Sequence, residues 1–184
     1  MKNKEISNVK PVKTTKQWVL FYAGLTLILI GLILLSFFFI KKVYRELEKE
    51  KMFQKNAVIE IPDINIKAPI LEGTDKNILS KASGHFKNTG DIGKGNYCIA
   101  GHSSIIYDEY FNNLKYAEIG MQIILYDKYK NKFYYSVESI IIVNPNETWI
   151  LNDFGDNRVT IVTCTVDGSQ RLVVTGKLLD DKTI

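Results

Sequence analysis

Cys164, His102 and Arg171 are the residues of this 184-residue chain whose types could combine into nucleophilic chemistry. A lone thiol is a small hydrophobe and is often merely buried. Beside cationic partners it is held toward the thiolate, which is the nucleophile. A nearby arginine has a second use, donating hydrogen bonds to an oxyanion or to a substrate. The candidates are few: two histidines (His85, His102), three arginines (Arg45, Arg158, Arg171) and two cysteines (Cys98, Cys164). His85 reads as structural, and Arg158 is the rival to Arg171.

The elements that must position these groups can be read locally. Val159 to Lys177 (VTIVTCTVDGSQRLVVTGK) reads as two strands around the turn Asp167-Gly168-Ser169. Cys164 ends the first strand and Arg171 opens the second, so pairing could bring thiol and guanidinium together. Asn96 to Gly101 is a further strand, and it ends at His102. Cys98 lies four residues before His102, about 13 Å along a strand, and is expected to face the core. A Cys98–Cys164 disulfide would be possible in an oxidising compartment and would extinguish thiol chemistry.

Upstream, Ala57 to Ile61 and Ile64 to Leu71 read as strands around a Pro62-Asp63 turn, with Pro69 suggesting a sheet edge or bulge. Asn77 to Ala82 is expected to be a short helix, and Ser83 to Phe86 with Asn88 to Gly95 a Gly-rich loop. Asp108 to Leu114 is expected to be a helix capped by Asp108. Met121 to Tyr126 and Lys132 to Val143 read as a hairpin. Asn144 to Thr148 is a turn that leads into a loop through Trp149, Leu151 and Phe154. About eight short strands with two or three short helices predict a mainly β fold, a compact barrel or sandwich.

Trp18 to Ile40 is a run of 23 residues without a charge, more than the roughly 20 needed to span a bilayer. Trp18 and Tyr22 suit one interface and Lys41 and Lys42 the other. A cleaved signal peptide fits less well, because the run is long and no small-x-small site follows it. The expected organisation is a basic tail (1–17), a membrane anchor (18–40), a charged stalk (41–55) and a globular domain (56–184). Five lysines precede the run, and six basic residues fall in the fifteen positions after it. The positive-inside count therefore does not orient the span. The short tail favours a cytoplasmic N-terminus with the domain outside. Residues 41–184 hold 19 basic and 19 acidic side chains, so the net +4 belongs to the tail and nucleic-acid binding has little support.

The sequence resembles the sortase family, membrane-anchored cysteine transpeptidases of Gram-positive bacteria. The resemblance covers about residues 56–180. The TLxTC signature of that family stands here as Thr160-Ile161-Val162-Thr163-Cys164, with Ile161 in place of leucine. The histidine context of the family stands as Ala100-Gly101-His102. The arginine that opens the strand after the cysteine loop stands as Arg171. Ile61-Pro62, Ile66 to Gly73 and Gly84-His85-Phe86 also resemble family segments.

The resemblance implies an eight-stranded sortase β-barrel with two or three short helices, preceded by one transmembrane helix. Cys164 would attack the Thr–Gly bond of an LPxTG-like sorting signal in a surface protein. An amine acceptor, lipid II or a pilin lysine, would resolve the thioacyl-enzyme. His102 would be general acid and then base, and Arg171 would stabilise the oxyanion or hold the signal. Ala100, Thr163, Val143, Asn144, Pro145, Trp149 and Leu151 would contact the sorting signal. A class A-like or class D-like member is implied: no DP-aromatic lid motif occurs in 41–60, and a class B helix has little room before Val159. Some class A members bind calcium, but Glu72, Asp75, Asp108, Glu109 and Glu118 show no ligand spacing, so no cofactor or metal is expected. Two other functions remain open on sequence: an anchored binding module with bridged cysteines, and a cysteine peptidase that releases its product to water.

Overall fold

The computed structural model of the protein describes residues 15–104 and 109–179. The chain divides into two units, Met1–Glu48 and Lys49–Ile184. The first holds most of helix α1 (Thr15–Lys55). Its uncharged run, rich in Leu, Ile and Phe, contains an 18-residue window with a mean hydropathy of 2.7, and none of that window is buried. By length and composition this helix is able to cross a membrane. The last turn of α1, in the second unit, is capped by Lys130, whose Nζ donates to the carbonyls of Phe53 (2.8 Å) and Asn56 (3.1 Å). A lysine there satisfies carbonyls that have no partner within the helix.

The second unit is built on eight strands. They are β1 (Ala57–Ile61), β2 (Ile66–Glu72), β3 (Ser83–His85), β4 (Asn96–Ala100), β5 (Gln122–Tyr126), β6 (Lys132–Val143), β7 (Arg158–Cys164) and β8 (Arg171–Leu178). They close into a barrel in the order β1-β2-β3-β4-β7-β8-β6-β5. The pairs β2–β3 and β4–β7 are parallel, and the rest are antiparallel. Short helical pieces fill the connections: helix α2 (Lys76–Leu79) and 3-10 turns at Pro62–Ile64, Asn112–Tyr116 and Trp149–Leu151. Asp75 caps α2, its carboxylate accepting from the amides of Asn77 and Ile78.

The barrel interior is filled from alternate strand positions, among them Ile59, Ile61, Tyr97, Ile99, Val159, Ile161 and Val174. The outer face of β4, β7, β8 and β6 carries a second, smaller cluster: Val143, Ile150, Val162 and Val173, with Phe86, Ile141 and Leu151 against it.

Three expectations are corrected. Ser83–His85 is a strand, paired in parallel with β2 and antiparallel with β4, where a loop was expected. The helical turn after His102 covers Asn112–Tyr116, with Phe111 at its N-cap, later than expected; Asp108 lies outside the described residues. Cys98 is fully buried but does not face the barrel interior. It shares the outer face of β4 with Asn96, and its thiol approaches the Asn96 carbonyl oxygen at 3.5 Å. Pro69 behaves as an edge residue. Pairing of β2 with β3 starts only at Ile70, and the Pro69 carbonyl is met instead by the Ser83 hydroxyl at 2.7 Å.

Candidate active site

Residues directly paired across neighbouring strands share a face of the sheet, so the ladder register builds the site row by row. Cys164 of β7 pairs with Arg171 of β8, and Arg171 pairs with Val143 of β6. Two residues back on the same face, Ala100, Val162, Val173 and Ile141 form the next row. Cys98, Thr160, Thr175 and Ser139 follow. The outer face is thus an apolar strip that ends at a half-buried thiol and a half-buried arginine.

His102 reaches this end through β4. The Gly101 amide donates to the Val162 carbonyl at 3.1 Å, and the Thr163 hydroxyl donates to the Gly101 carbonyl at 2.8 Å. The parallel β4–β7 register therefore carries on past Ala100 and sets exposed His102 beside Cys164 at the same edge. The chain beyond is held by the turn that follows it. Phe111 N–H donates to the His102 carbonyl (3.3 Å), and Ser104 N–H donates to Asn112 Oδ1 (2.7 Å).

The turn between Cys164 and Arg171 is internally bonded. Thr165 N–H donates to the Gln170 carbonyl, and Gly168 takes positive φ (75°), which glycine adopts without steric cost. Asp167 accepts from the Thr165 hydroxyl (2.6 Å), the Ser169 hydroxyl (2.7 Å) and the Ser169 amide (3.2 Å). These bonds, Thr165 first, pull its carboxyl down to about 2. The Arg171 guanidinium folds over this turn, donating to the carbonyls of Gln170 (3.0 Å) and Gly168 (3.3 Å).

One wall of the strip is the loop between β6 and β7. Asn144 and Trp149 both donate to Glu147: Asn144 Nδ2 to Oε1 at 3.0 Å, and the Trp149 indole to Oε2 at 2.9 Å. These bonds, the indole foremost, hold the Glu147 carboxyl below its ordinary range. Pro145 and Trp149 are exposed, Leu151 is half-buried against the outer cluster, and Val143 and Ala100 lie buried in the strip floor. Thr163 points away from the strip and is buried, its hydroxyl committed to Gly101.

The rival residues sit elsewhere. Arg158, at the far end of β7, is paired with Asp156 through Nε (2.6 Å) and Nη2 and lies over the Phe154 ring. His85 is buried and stacked on Tyr97 at 4.2 Å; its Nδ1 meets Glu72 (2.9 Å) and its Nε2 meets Thr89 and the Gly90 carbonyl. Both cysteines are free. Cys98 pairs with Thr160, four residues before Cys164, so about 13 Å of strand separates the thiols, beyond disulfide reach. That removes the bridged-module alternative. Burial pushes the Cys98 thiol up to about 12, which keeps it protonated and inert.

Two site-building residues went unread in the sequence: Asn96, buried within a strand, and Phe111, which packs on Gly101. An asparagine inside an otherwise β-forming run was the available signal for the first. Among the described residues, no group of three or more His, Cys, Asp or Glu side chains is placed to hold a metal.

Comparison with known proteins bears on the family and the fold. The sortase domain model matches residues 59–179. Sortase A of Bacillus anthracis is 35% identical over 127 residues, 67% of this chain and 60% of that protein. Sortase D of Bacillus subtilis (strain 168) is 31% identical over 104 residues, 56% of this chain and 50% of that protein. The chain thus spans about half to three fifths of the length of these curated relatives. Among solved structures, a Clostridium perfringens Sortase D5 transpeptidase superposes with a TM-score of 0.63 at 34% identity, covering 73% of this chain and 89% of that one. Sortase A of Corynebacterium diphtheriae superposes with a TM-score of 0.62 at 30% identity, covering 68% and 60%. With a family match over most of the globular unit and an eight-stranded barrel in common, the chain belongs to the sortase family.

Proposed function

We propose that the protein is a cysteine transpeptidase that cleaves an LPxTG-like sorting signal between Thr and Gly and passes the acyl chain to an amine. The observation that carries the reading is the register that sets Cys164 opposite Arg171, with Gly101-His102 bonded alongside Thr163-Cys164. The Cys164 thiol gives its proton to His102 as the sulfur attacks the threonine carbonyl carbon, and the carbonyl π electrons move to oxygen. Arg171 leaves the turn carbonyls it now caps and donates to that oxyanion or to the signal. The tetrahedral species collapses as His102 gives a proton to the departing glycine nitrogen, leaving a thioester on Cys164. An incoming amine attacks the thioester and loses its proton to His102; the C–S bond then breaks to release the amide product, and His102 returns the proton to the Cys164 sulfur.

The apolar strip of Ala100, Val162, Val173 and Val143 would take the signal side chains. The loop with Asn144, Pro145, Trp149 and Leu151 would wall it. The substrates are surface proteins with C-terminal sorting signals, and the acceptor is lipid II or a pilin lysine. Helix α1 anchors the enzyme with its N-terminus in the cytoplasm and the barrel outside. The short 3-10 turn at Trp149–Leu151, in place of a longer helix, supports a class A-like or class D-like enzyme.

The test uses the full chain in detergent with an LPxTG peptide, with and without an amine acceptor, beside Cys164→Ala. Mass spectrometry should find an adduct on Cys164 that converts to the peptide–amine product, absent in the variant. Hydrolysis that added amines never divert would establish a peptidase instead. No adduct on free Cys164 with several signal variants would overturn the reading.

A further inference from the structure

Asn96 is 1% exposed and begins β4 at the opposite end of the strip from His102. Its Nδ2 donates to two carbonyls of the β6–β7 loop, Ile150 (2.9 Å) and Asn152 (2.8 Å). Its Oδ1 accepts from the Thr160 hydroxyl on β7 (2.7 Å). The amide orientation is fixed by chemistry: carbonyls only accept, so the NH2 group must face them. Among the described residues, these are the hydrogen bonds that tie the Trp149–Asn152 turn to the barrel. The others from 144 to 152 stay within the loop: Glu147 N–H to Asn144, Leu151 N–H to Thr148, Asn152 N–H to Trp149, and the Glu147 contacts. Ile150, which carries one of the two bonded carbonyls, packs on Val143, Val162 and Val173 of the strip.

We propose that Asn96 is a positioning residue for the sorting-signal groove, acting as a clamp that fixes the β6–β7 loop over the strip. The proposal rests on the transpeptidase reading above. Asn96 touches neither thiol nor imidazole, so it acts on peptide binding and not on the bond-breaking groups. Thr160 completes the clamp. It lies in the same signature as Cys164, so one strand supplies both the nucleophile and the group that orients the loop anchor. An apolar residue at 96 would leave a buried carbonyl (Ile150), a part-buried one (Asn152) and the buried Thr160 hydroxyl without this partner. An aspartate would set carboxylate oxygen against carbonyl oxygen.

The test compares full-length wild type, Asn96→Asp and Thr160→Val in detergent. Three quantities are read: KM and kcat for the sorting peptide with a saturating amine, the alkylation rate of Cys164 by iodoacetamide, and amide hydrogen exchange over 149–152. Asn96→Asp should raise KM about tenfold with kcat and alkylation within about threefold, the pattern of lost binding and not of lost chemistry. Exchange over 149–152 should quicken in step. Unchanged KM in the folded variant, or alkylation that falls together with kcat, would overturn the clamp. If Asn96→Asp loses cooperative unfolding, Thr160→Val decides: it keeps the β-branched shape, should raise KM about threefold, and overturns the proposal if it does not. Wild type that forms no adduct sinks the transpeptidase reading, and the groove role of Asn96 with it. An active wild type beside silent variants sinks the clamp alone.

Discussion

Thr163 and Gly101 are joined by a 2.8 Å hydrogen bond from hydroxyl to backbone carbonyl, which locks the residue before Cys164 to the residue before His102. The bond is buried, and Thr163 is 3% exposed. Thr163→Val keeps the side-chain shape and leaves the Gly101 carbonyl without this donor. The cost in stability should be about 1–3 kcal/mol, read from denaturant unfolding of the full chain. The rate of thioacyl formation should fall about tenfold with KM nearly unchanged, because the altered relation is between thiol and imidazole. A drop in stability with no change in rate would make Thr163 a packing residue only.

The two thiols should behave as different chemical species. Cys98 is fully buried and held protonated, whereas Cys164 is half-buried at the strip edge. Iodoacetamide on the native chain near neutral pH should add one group, on Cys164, and denaturant should expose the second site. Labelling of both cysteines in the native state would mean that the structure around Cys98 opens readily. Labelling of neither would place Cys164 out of reach of solvent.

How much of this was legible in the sequence depended on how local the cause was. The Cys164–Arg171 hairpin announces itself because Asp167-Gly168 supplies both the positive φ and the carboxylate that closes the turn. The strand Ser83–His85 does not: three residues carry no periodicity, and its conformation comes from pairing with β2, 13 residues upstream. Cys98 was assigned to the wrong face because every residue of Asn96–Ala100 is buried. A strand covered on both faces shows no alternation to orient it. The three candidate site residues were picked out by the spacing of signatures, and the ladder register brings Cys164 and Arg171 together. The clamp at Asn96 was invisible because its partners are carbonyls 54 and 56 residues away.

The turn carboxylate offers a pH test. Asp167 is held down to about 2 from an ordinary 3.8, mainly by the Thr165 hydroxyl and then by Ser169. The folded value is lower than the unfolded one. The charged form therefore supports the turn fully above 3.8, and that support is lost as pH falls through about 2. Carbon-detected NMR titration should show the Asp167 carboxyl with a midpoint near 2, and Thr165→Val should return it toward 3.8. An unshifted midpoint in wild type would mean that the bonded turn is not maintained in solution.

Chelation should leave the proposed transpeptidation unaffected. Asp91, Asp153 and Asp156 border a shared depression beside Gly90 and Gly155, but Lys94 lines it as well, and Asp156 is bound to Arg158. The loop carbonyls of Ile150 and Asn152 already accept from the Asn96 amide, so neither is an unpartnered oxygen waiting for a cation. Initial transpeptidation rates should therefore stay within about twofold between excess EDTA and millimolar calcium. A calcium-dependent fall in KM would show that the depression recruits an ion in spite of the lysine.

Gly101 is required for close approach and not for its dihedral freedom. A Cβ built there would meet the Phe111 ring at 2.5 Å, and Phe111 is fully buried. Gly101→Ala must therefore displace either the ring or the strand end that carries His102. Phe111 N–H bonds the His102 carbonyl, so both routes move the imidazole. The variant should lose about 1–3 kcal/mol of stability to overpacking. It should also lose kcat by about tenfold or more while KM for the sorting peptide stays close to wild type. Phe111→Leu, which removes the offending ring edge, should recover part of that loss in the double variant although it costs stability on its own. A coupling energy near zero in that cycle would mean that the two residues do not meet, and that the His102 end is placed by other contacts.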